Sequence, residues 1–189
     1  MKWTQLGLQF SDQVRRTQVC HLRTPLLICC WTAGVAIACC DYGGIRLNST
    51  GSLPLGLYRV TKVPNAPLAE FCPPEPFSRM SVERGYRPSG VCLDGNTPLL
   101  KPIVARPGDV VVTSERGISV NGQLLRNTVA RTKDSKGRPL PHYQFGSYAV
   151  ELGTVWVAST YHPLSFDSRY FGPILESSIR EHLQPLLVL

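Results

Sequence analysis

Ser52 lies in Leu47-Asn48-Ser49-Thr50-Gly51-Ser52-Leu53-Pro54-Leu55-Gly56-Leu57-Tyr58-Arg59, a stretch that sets three hydroxyls among residues that restrict the backbone. Gly51 permits a turn that other residues avoid, and Pro54 fixes its own φ and biases Leu53 toward extended geometry. The chain should bend at Gly51 and run straight after Ser52, which holds a hydroxyl at the bend. A hydroxyl so placed is a candidate nucleophile. To cut a peptide bond it needs a base for its proton, donors for the oxyanion and a group that orients the base. On composition alone the same stretch also reads as a Ser/Thr/Gly/Pro loop between strands.

A lysine in apolar company follows downstream, in Pro98-Leu99-Leu100-Lys101-Pro102-Ile103-Val104-Ala105-Arg106-Pro107-Gly108-Asp109-Val110-Val111. Lysine is a base only when neutral. Its ordinary pKa of about 10.4 must then fall by about three units, roughly 4 kcal/mol against the ammonium, and burial is the means. Leu99, Leu100, Ile103 and Val104 could supply that setting, with Pro102 beside the lysine; the plain alternative is a surface lysine on an edge strand. A third block, Ser165-Phe166-Asp167-Ser168-Arg169-Tyr170-Phe171-Gly172-Pro173, comes later in the chain.

In this order the three blocks resemble the serine/lysine signal peptidases, and within them the TraF-type peptidases of conjugative transfer systems. There an Asn-x-Thr-x-Ser-Leu-Pro-x-Gly-Leu-Tyr block carries the nucleophile, matched here by Asn48, Thr50, Ser52, Leu53, Pro54, Gly56, Leu57 and Tyr58. The resemblance implies that Ser52 attacks the scissile carbonyl with Lys101 as general base. It implies further that the Thr50 hydroxyl and the Ser52 N–H line the oxyanion hole. Ser165 would aim Lys101, and Asp167 would pair with Arg169 to shape the site. Chromosomal signal peptidases carry Gly-Asp-Asn-Arg ahead of the Ser-x-Asp-Ser-Arg block. Here the approach is Ser159-Thr160-Tyr161-His162-Pro163-Leu164, which favours the TraF-type branch over a general type I signal peptidase.

The family resemblance carries expectations about setting as well. They are a membrane-bound endopeptidase that cuts after small residues in a secreted precursor, the propilin of a conjugative system, with cyclisation of the product in some members. The partners would be that precursor and the membrane, with no metal and no cofactor. The enzyme would sit in the inner membrane with its catalytic domain in the periplasm.

The elements that must position these residues follow from composition and punctuation. With 189 residues and 43% apolar content the chain can bury a core without disulfides. Sixteen glycines, sixteen prolines and few long runs of helical period predict a mainly β, signal-peptidase-like catalytic domain over 41–189. Gly56 to Val63 reads as a strand. Residues 66–98, rich in Pro and Gly, read as a loop lobe with at most one short helix near Phe77 to Glu83. Leu99 to Val112 reads as two buried strands broken at Arg106-Pro107-Gly108-Asp109. Asn121-Gly122 supplies the two positive φ values of a type I′ hairpin turn between Ile118 and Leu125. Residues 131–142 should be an exposed loop, and Tyr148 to Ala158 returns as paired strands. Leu175, Ile179 and Leu183 recur at every fourth position and predict a closing helix over Ile174 to Leu183.

Ahead of this domain, residues 1–23 are basic and no charge interrupts Thr24 to Cys40. A helix over 24–40 would be about 25 Å long, short for a bilayer core of about 30 Å. Three readings compete: a signal anchor, a signal peptide cleaved after Ala36-Ile37-Ala38, and a buried core helix. Of the seven cysteines, five lie in or near this segment, leaving Cys72 and Cys92 as a disulfide or as two separate thiols.

The net charge is +7, and outside the first 40 residues it falls to 16 basic against 12 acidic groups, +4. The basic residues are scattered through turns and not strung along a helix with aromatics, a solvated surface and not a nucleic-acid site. Ser52, Asp109 and His142 or His162 follow the chain order of α/β-hydrolases, but no Gly-x-Ser-x-Gly elbow is present. A different class of reading is a membrane-anchored component of a conjugation apparatus that binds a partner without catalysis.

Overall fold

The computed structural model describes residues 44–189. The basic segment 1–23 and the apolar segment 24–40 lie outside the described residues, and no helix among those described is long and apolar enough to cross a membrane.

Eleven strands are described: β1 (Ile45–Asn48), β2 (Gly56–Val60), β3 (Leu68–Phe71), β4 (Leu99–Ala105), β5 (Val110–Ser114), β6 (Gly117–Val120), β7 (Gln123–Leu124), β8 (Gly146–Ala149), β9 (Thr154–Val157), β10 (Ile174–Leu175) and β11 (Ile179–Val188). Two short α-helices are α1 (Phe77–Glu83) and α2 (Ser168–Phe171). The mainly β expectation holds. Seven strands form one sheet in the order β1-β2-β11-β3-β4-β9-β10, and four form a second in the order β7-β6-β5-β8.

Strand β9 joins the two sheets' cores by the two-residue period of a strand. Val155 and Val157 face one way, into a core with Ala69, Phe71, Tyr170, Phe171 and Ile174. Trp156 and the following Ala158 face the other way, against Val111 and Ile118 of the four-stranded sheet. A third cluster of Leu53, Tyr58, Leu68 and Leu183, with Leu100 packed on it, lies under the Ser52 turn.

Several expectations are met closely. The β4–β5 break falls at the Arg106 to Asp109 turn, and α1 covers Phe77–Glu83. Asn121 and Gly122 have φ of 49° and 82°, as a type I′ turn requires. Cys72 and Cys92 form a disulfide with Cα atoms 5.9 Å apart. Residues 131–142 are loop, although Leu140 is drawn into the core.

Three expectations are corrected. The predicted closing helix is not formed: Ile174–Leu175 is β10, Glu176–Ser178 is a 3-10 turn, and β11 runs from Ile179 between β2 and β3. A four-residue recurrence fits one face of a strand as well as one face of a helix. Leu183 is fully buried but Leu175 is 61% exposed, so the three residues do not share a buried face. The 66–98 region is not all loop, since its Leu68–Phe71 run is a strand of the seven-stranded sheet with all four residues buried. A strand buried on both faces shows no alternation to read. Finally, β8 and β9 do not pair with each other. β8 pairs with β5, and β9 with β4 and β10, so the chain crosses between sheets at Glu151 to Gly153.

Candidate active site

The Ser52 turn is built around the Asn48 side chain, which ends β1 and is 7% exposed. Its Nδ2 donates to three carbonyl oxygens, those of Thr50 (2.9 Å), Leu53 (3.2 Å) and Pro54 (3.1 Å). Its Oδ1 accepts from the Thr50 N–H (3.3 Å) and the Thr50 hydroxyl (2.8 Å). Tyr58 adds a hydrogen bond from its hydroxyl to the Pro54 carbonyl at 2.7 Å. Gly51 is not among the residues with positive φ. What its missing side chain provides is room, because a Cβ there would lie 3.3 Å from Cδ2 of His162.

The direction of each hydrogen follows from these partners. Three carbonyls face Nδ2, so the Asn48 amide has one orientation, and the single Thr50 hydroxyl hydrogen goes to Oδ1. Thr50 Oγ1 also lies 3.1 Å from Ser52 Oγ. Having spent its hydrogen, Thr50 accepts there and Ser52 donates. The hydroxyl hydrogens therefore run Ser52 to Thr50 to Asn48.

Lys101 sits in the middle of β4, opposite Ala69 of β3, and is 5% exposed. By strand alternation it shares its sheet face with Leu99 and Ile103, both packed on the first core. It forms no hydrogen bond or ion pair among the described residues. Burial lowers its pKa from 10.5 to about 8, with the Arg169 charge lowering it and the Asp167 charge raising it. The edge-strand surface reading of this lysine is thereby set aside.

The Ser52 turn and the Lys101 strand meet through β9 and its exit. Ser159 Oγ donates to the Ser52 carbonyl oxygen at 2.5 Å, and the neighbouring Ala158 N–H donates to the Pro102 carbonyl, next to Lys101, at 3.0 Å. Leu53 and Leu100, the neighbours of Ser52 and Lys101, pack on the same apolar cluster.

The third block lies alongside. Asp167 and Arg169 are almost completely buried and form the expected pair, with Arg169 Nε 2.8 Å from Asp167 Oδ1. Asp167 also caps α2 by accepting from the Arg169 N–H. Arg169 reaches the carbonyls of Asn127 (2.8 Å), Pro163 (3.0 Å) and Ser159 (2.9 Å), so it ties three chain segments together. Ser165 is 4% exposed, but its Oγ has no partner, so the expected bond from Ser165 to Lys101 is not formed here.

Ser159 is the residue that sequence reasoning missed, along with the central role of Asn48. Asn48 stood inside a matched motif, but Ser159 has its partner 107 positions away, and no local signal marks it. Of the residues of a histidine-based site, Asp109 and His142 are used elsewhere. Asp109 accepts from Asn121 Nδ2 and the Arg106 N–H, both at 2.8 Å. His142 stacks on Phe145 with ring centroids 4.3 Å apart. His162 borders Gly51, and its Nδ1 accepts from the Leu164 N–H at 3.1 Å. Among the described residues no cluster of His, Cys, Asp and Glu could hold a metal ion.

A family model described as signal peptidase, peptidase S26, matches residues 53–185, beginning one residue after Ser52. Curated relatives match over most of their length. A plasmid transfer protein TraF of Escherichia coli is 37% identical over 162 residues, 82% of this chain and 91% of that protein. A probable conjugal transfer protein TraF of Sinorhizobium fredii is 36% identical, covering 86% and 89%. A conjugal transfer protein TraF of Agrobacterium fabrum is 36% identical, covering 76% and 82%. A solved signal peptidase I of Enterococcus faecalis is 17% identical at a TM-score of 0.36, over 66% of this chain and 99% of that one, too slight a likeness to argue from.

Proposed function

The chain belongs to the peptidase S26 family of signal peptidases, and from that premise we propose that it is a membrane-bound serine endopeptidase with Ser52 as nucleophile and Lys101 as general base. Its substrate is a secreted precursor, the propilin of a conjugative transfer system, and its catalytic domain faces the periplasm from an inner-membrane anchor. The observation that carries the reading is a buried lysine that forms no ion pair among the described residues, and burial lowers its pKa to about 8. Such a lysine is in part neutral near physiological pH and can take a proton. The conjugative setting draws on the TraF relatives.

In this mechanism a bound precursor presents its scissile carbonyl to Ser52 Oγ. The Ser52 hydroxyl turns from Thr50 to Lys101 Nζ and gives up its proton as Oγ attacks the carbonyl carbon. The oxyanion that forms accepts from the Ser52 N–H and the Thr50 hydroxyl, which must swing its hydrogen away from Asn48 Oδ1 to donate. Collapse breaks the peptide C–N bond, and the leaving amine takes the proton from Lys101. Water, or an amine of the substrate itself, then resolves the acyl-enzyme. Ser165 Oγ, buried and unpartnered at the start of the site's third block, is free to accept from Lys101 when the site is occupied. Asp167 and Arg169 hold the walls.

Mass spectrometry of a candidate prepilin co-expressed with this chain tests the reading. The native chain should yield shortened pilin, while Ser52→Ala and Lys101→Ala should leave the precursor intact. Equal cleavage by all three would show that the dyad is wrong. A product one water lighter than the linear fragment would mark cyclisation.

A further inference from the structure

Ser159 is 0% exposed and uses every polar group it has. Its Oγ accepts from the N–H groups of Tyr161 (3.1 Å) and His162 (3.4 Å), and its one hydroxyl hydrogen goes to the Ser52 carbonyl. Its own N–H donates to Asp167 Oδ2 at 2.9 Å, and its carbonyl accepts from Arg169 Nη2 at 2.9 Å. The ion pair therefore grips the Ser159 backbone on both sides, and the Ser159 side chain grips the nucleophile's residue.

We infer that Ser159 is a positioning residue for Ser52, the link through which the Asp167–Arg169 pair fixes the nucleophile's carbonyl direction. The inference rests on the serine-peptidase reading above. The carbonyl and the hydroxyl of Ser52 hang from one Cα, so holding the carbonyl removes a rotation that would carry Oγ off its line of attack. Misplacement of a reacting group by about 1 Å can cost about 100-fold in rate. Asp167 then acts by two separate routes. By charge it raises the proton affinity of Lys101. By way of Ser159 it holds Ser52, and this second route involves no titration.

The routes separate in pH–rate profiles of the full chain in detergent micelles, cutting a fluorogenic peptide with Ala-x-Ala before the scissile bond. Ser159→Ala should lower kcat by about 10- to 100-fold with KM within about twofold of native. Its rising limb should stay near the native pH of about 8. Asp167→Asn should lower kcat and move the limb to lower pH, because the charge that props up the Lys101 pKa is gone. The double variant should lose less than the product of the two single losses, as residues acting through one contact do. A Ser159→Ala kcat within about twofold of native, a loss confined to KM, or a limb that moves with Ser159→Ala would each overturn the clamp. Should Ser159→Ala fail to give a native circular dichroism spectrum, Ser159→Cys carries the same expectations, because its thiol keeps the volume but donates weakly. A native chain that cuts no peptide sinks the peptidase reading and the clamp together. An active native chain with an indifferent Ser159 variant sinks the clamp alone.

Discussion

Near Ser52 the side chains of Asn48, Thr50 and Ser159 all have partners, whereas Lys101 and Ser165 form no side-chain hydrogen bond among the described residues. Asn48 spends both ends of its amide on five contacts, and Thr50 and Ser159 spend their hydroxyl hydrogens within the same turn. Lys101, by contrast, forms no hydrogen bond among the described residues, and Ser165 Oγ is buried and unpaired. The difference matches what each half of the proposed dyad must do. A nucleophile must be in the right place, and hydrogen bonds to its neighbours supply placement. A lysine base must be neutral, and any acceptor on its ammonium would stabilise the charged form and raise its pKa. Satisfaction serves one half and deprivation the other.

The largest expected effect comes from removing the deprived group. Lys101→Met should abolish cleavage, a loss of at least about 100-fold for a missing general base, and yet make the domain more stable. The folded pKa of about 8 lies below the unfolded value of 10.5. Below pH 8 both states hold the proton, and the fold bears the full cost of a buried ammonium, about 3 kcal/mol. Between the two values the folded chain sheds its proton first, so stability rises with pH, and above the unfolded value the cost is gone. Urea melts should thus show Lys101→Met more stable than native near neutral pH, by about 1–3 kcal/mol, with the gap closing as pH rises toward 10. A variant less stable than native would mean that Lys101 has bonds that hold the fold.

The satisfied half should respond in the opposite sense. Asn48→Ala takes the donor from the carbonyls of Thr50, Leu53 and Pro54, of which Pro54 alone keeps a partner in the Tyr58 hydroxyl, and should cost about 2–4 kcal/mol, with activity falling alongside stability. Asn48→Asp should be no better, although it is the closer isostere. A carboxylate would face three carbonyl oxygens where an amide N–H₂ now donates. Chemical denaturation of the two variants checks the pair of expectations, and a silent Asn48→Ala would erase the contrast from this side.

The same contrast divides what was legible in the sequence from what was not. Features set by a few adjacent residues could be read: the Asn121-Gly122 turn needs two positive φ values, and few residue pairs allow them. The Ser52 and Lys101 blocks were legible because hydroxyl, turn residues and apolar neighbours stand together in the chain. What closes the sheet was not, since Leu175, Ile179 and Leu183 have a spacing common to helix and strand, and only the neighbours β2 and β3 decide. Leu68–Phe71 was lost in a Pro-rich region for want of alternation. Ser159 belongs with these long-range features. Nothing beside it in the chain distinguishes it from a loop serine.

The smallest expected effect is the most discriminating. Ser165 was expected to bond Lys101, but its Oγ is buried with no partner. Such a hydroxyl adds nothing to stability, so Ser165→Ala should melt within about 1 kcal/mol of native or slightly above it. If Ser165 accepts from Lys101 only when substrate fills the site, the variant should lose rate, about tenfold, in kcat. The rising limb of kcat/KM reports the free enzyme and should remain at about 8. A limb displaced to lower pH would mean that Ser165 already supports the ammonium in the free chain, since losing that acceptor lowers the lysine pKa. Such a shift, together with an earlier melt, would place Lys101 in a satisfied network like that of Ser52 and would leave burial alone insufficient to account for its proton affinity.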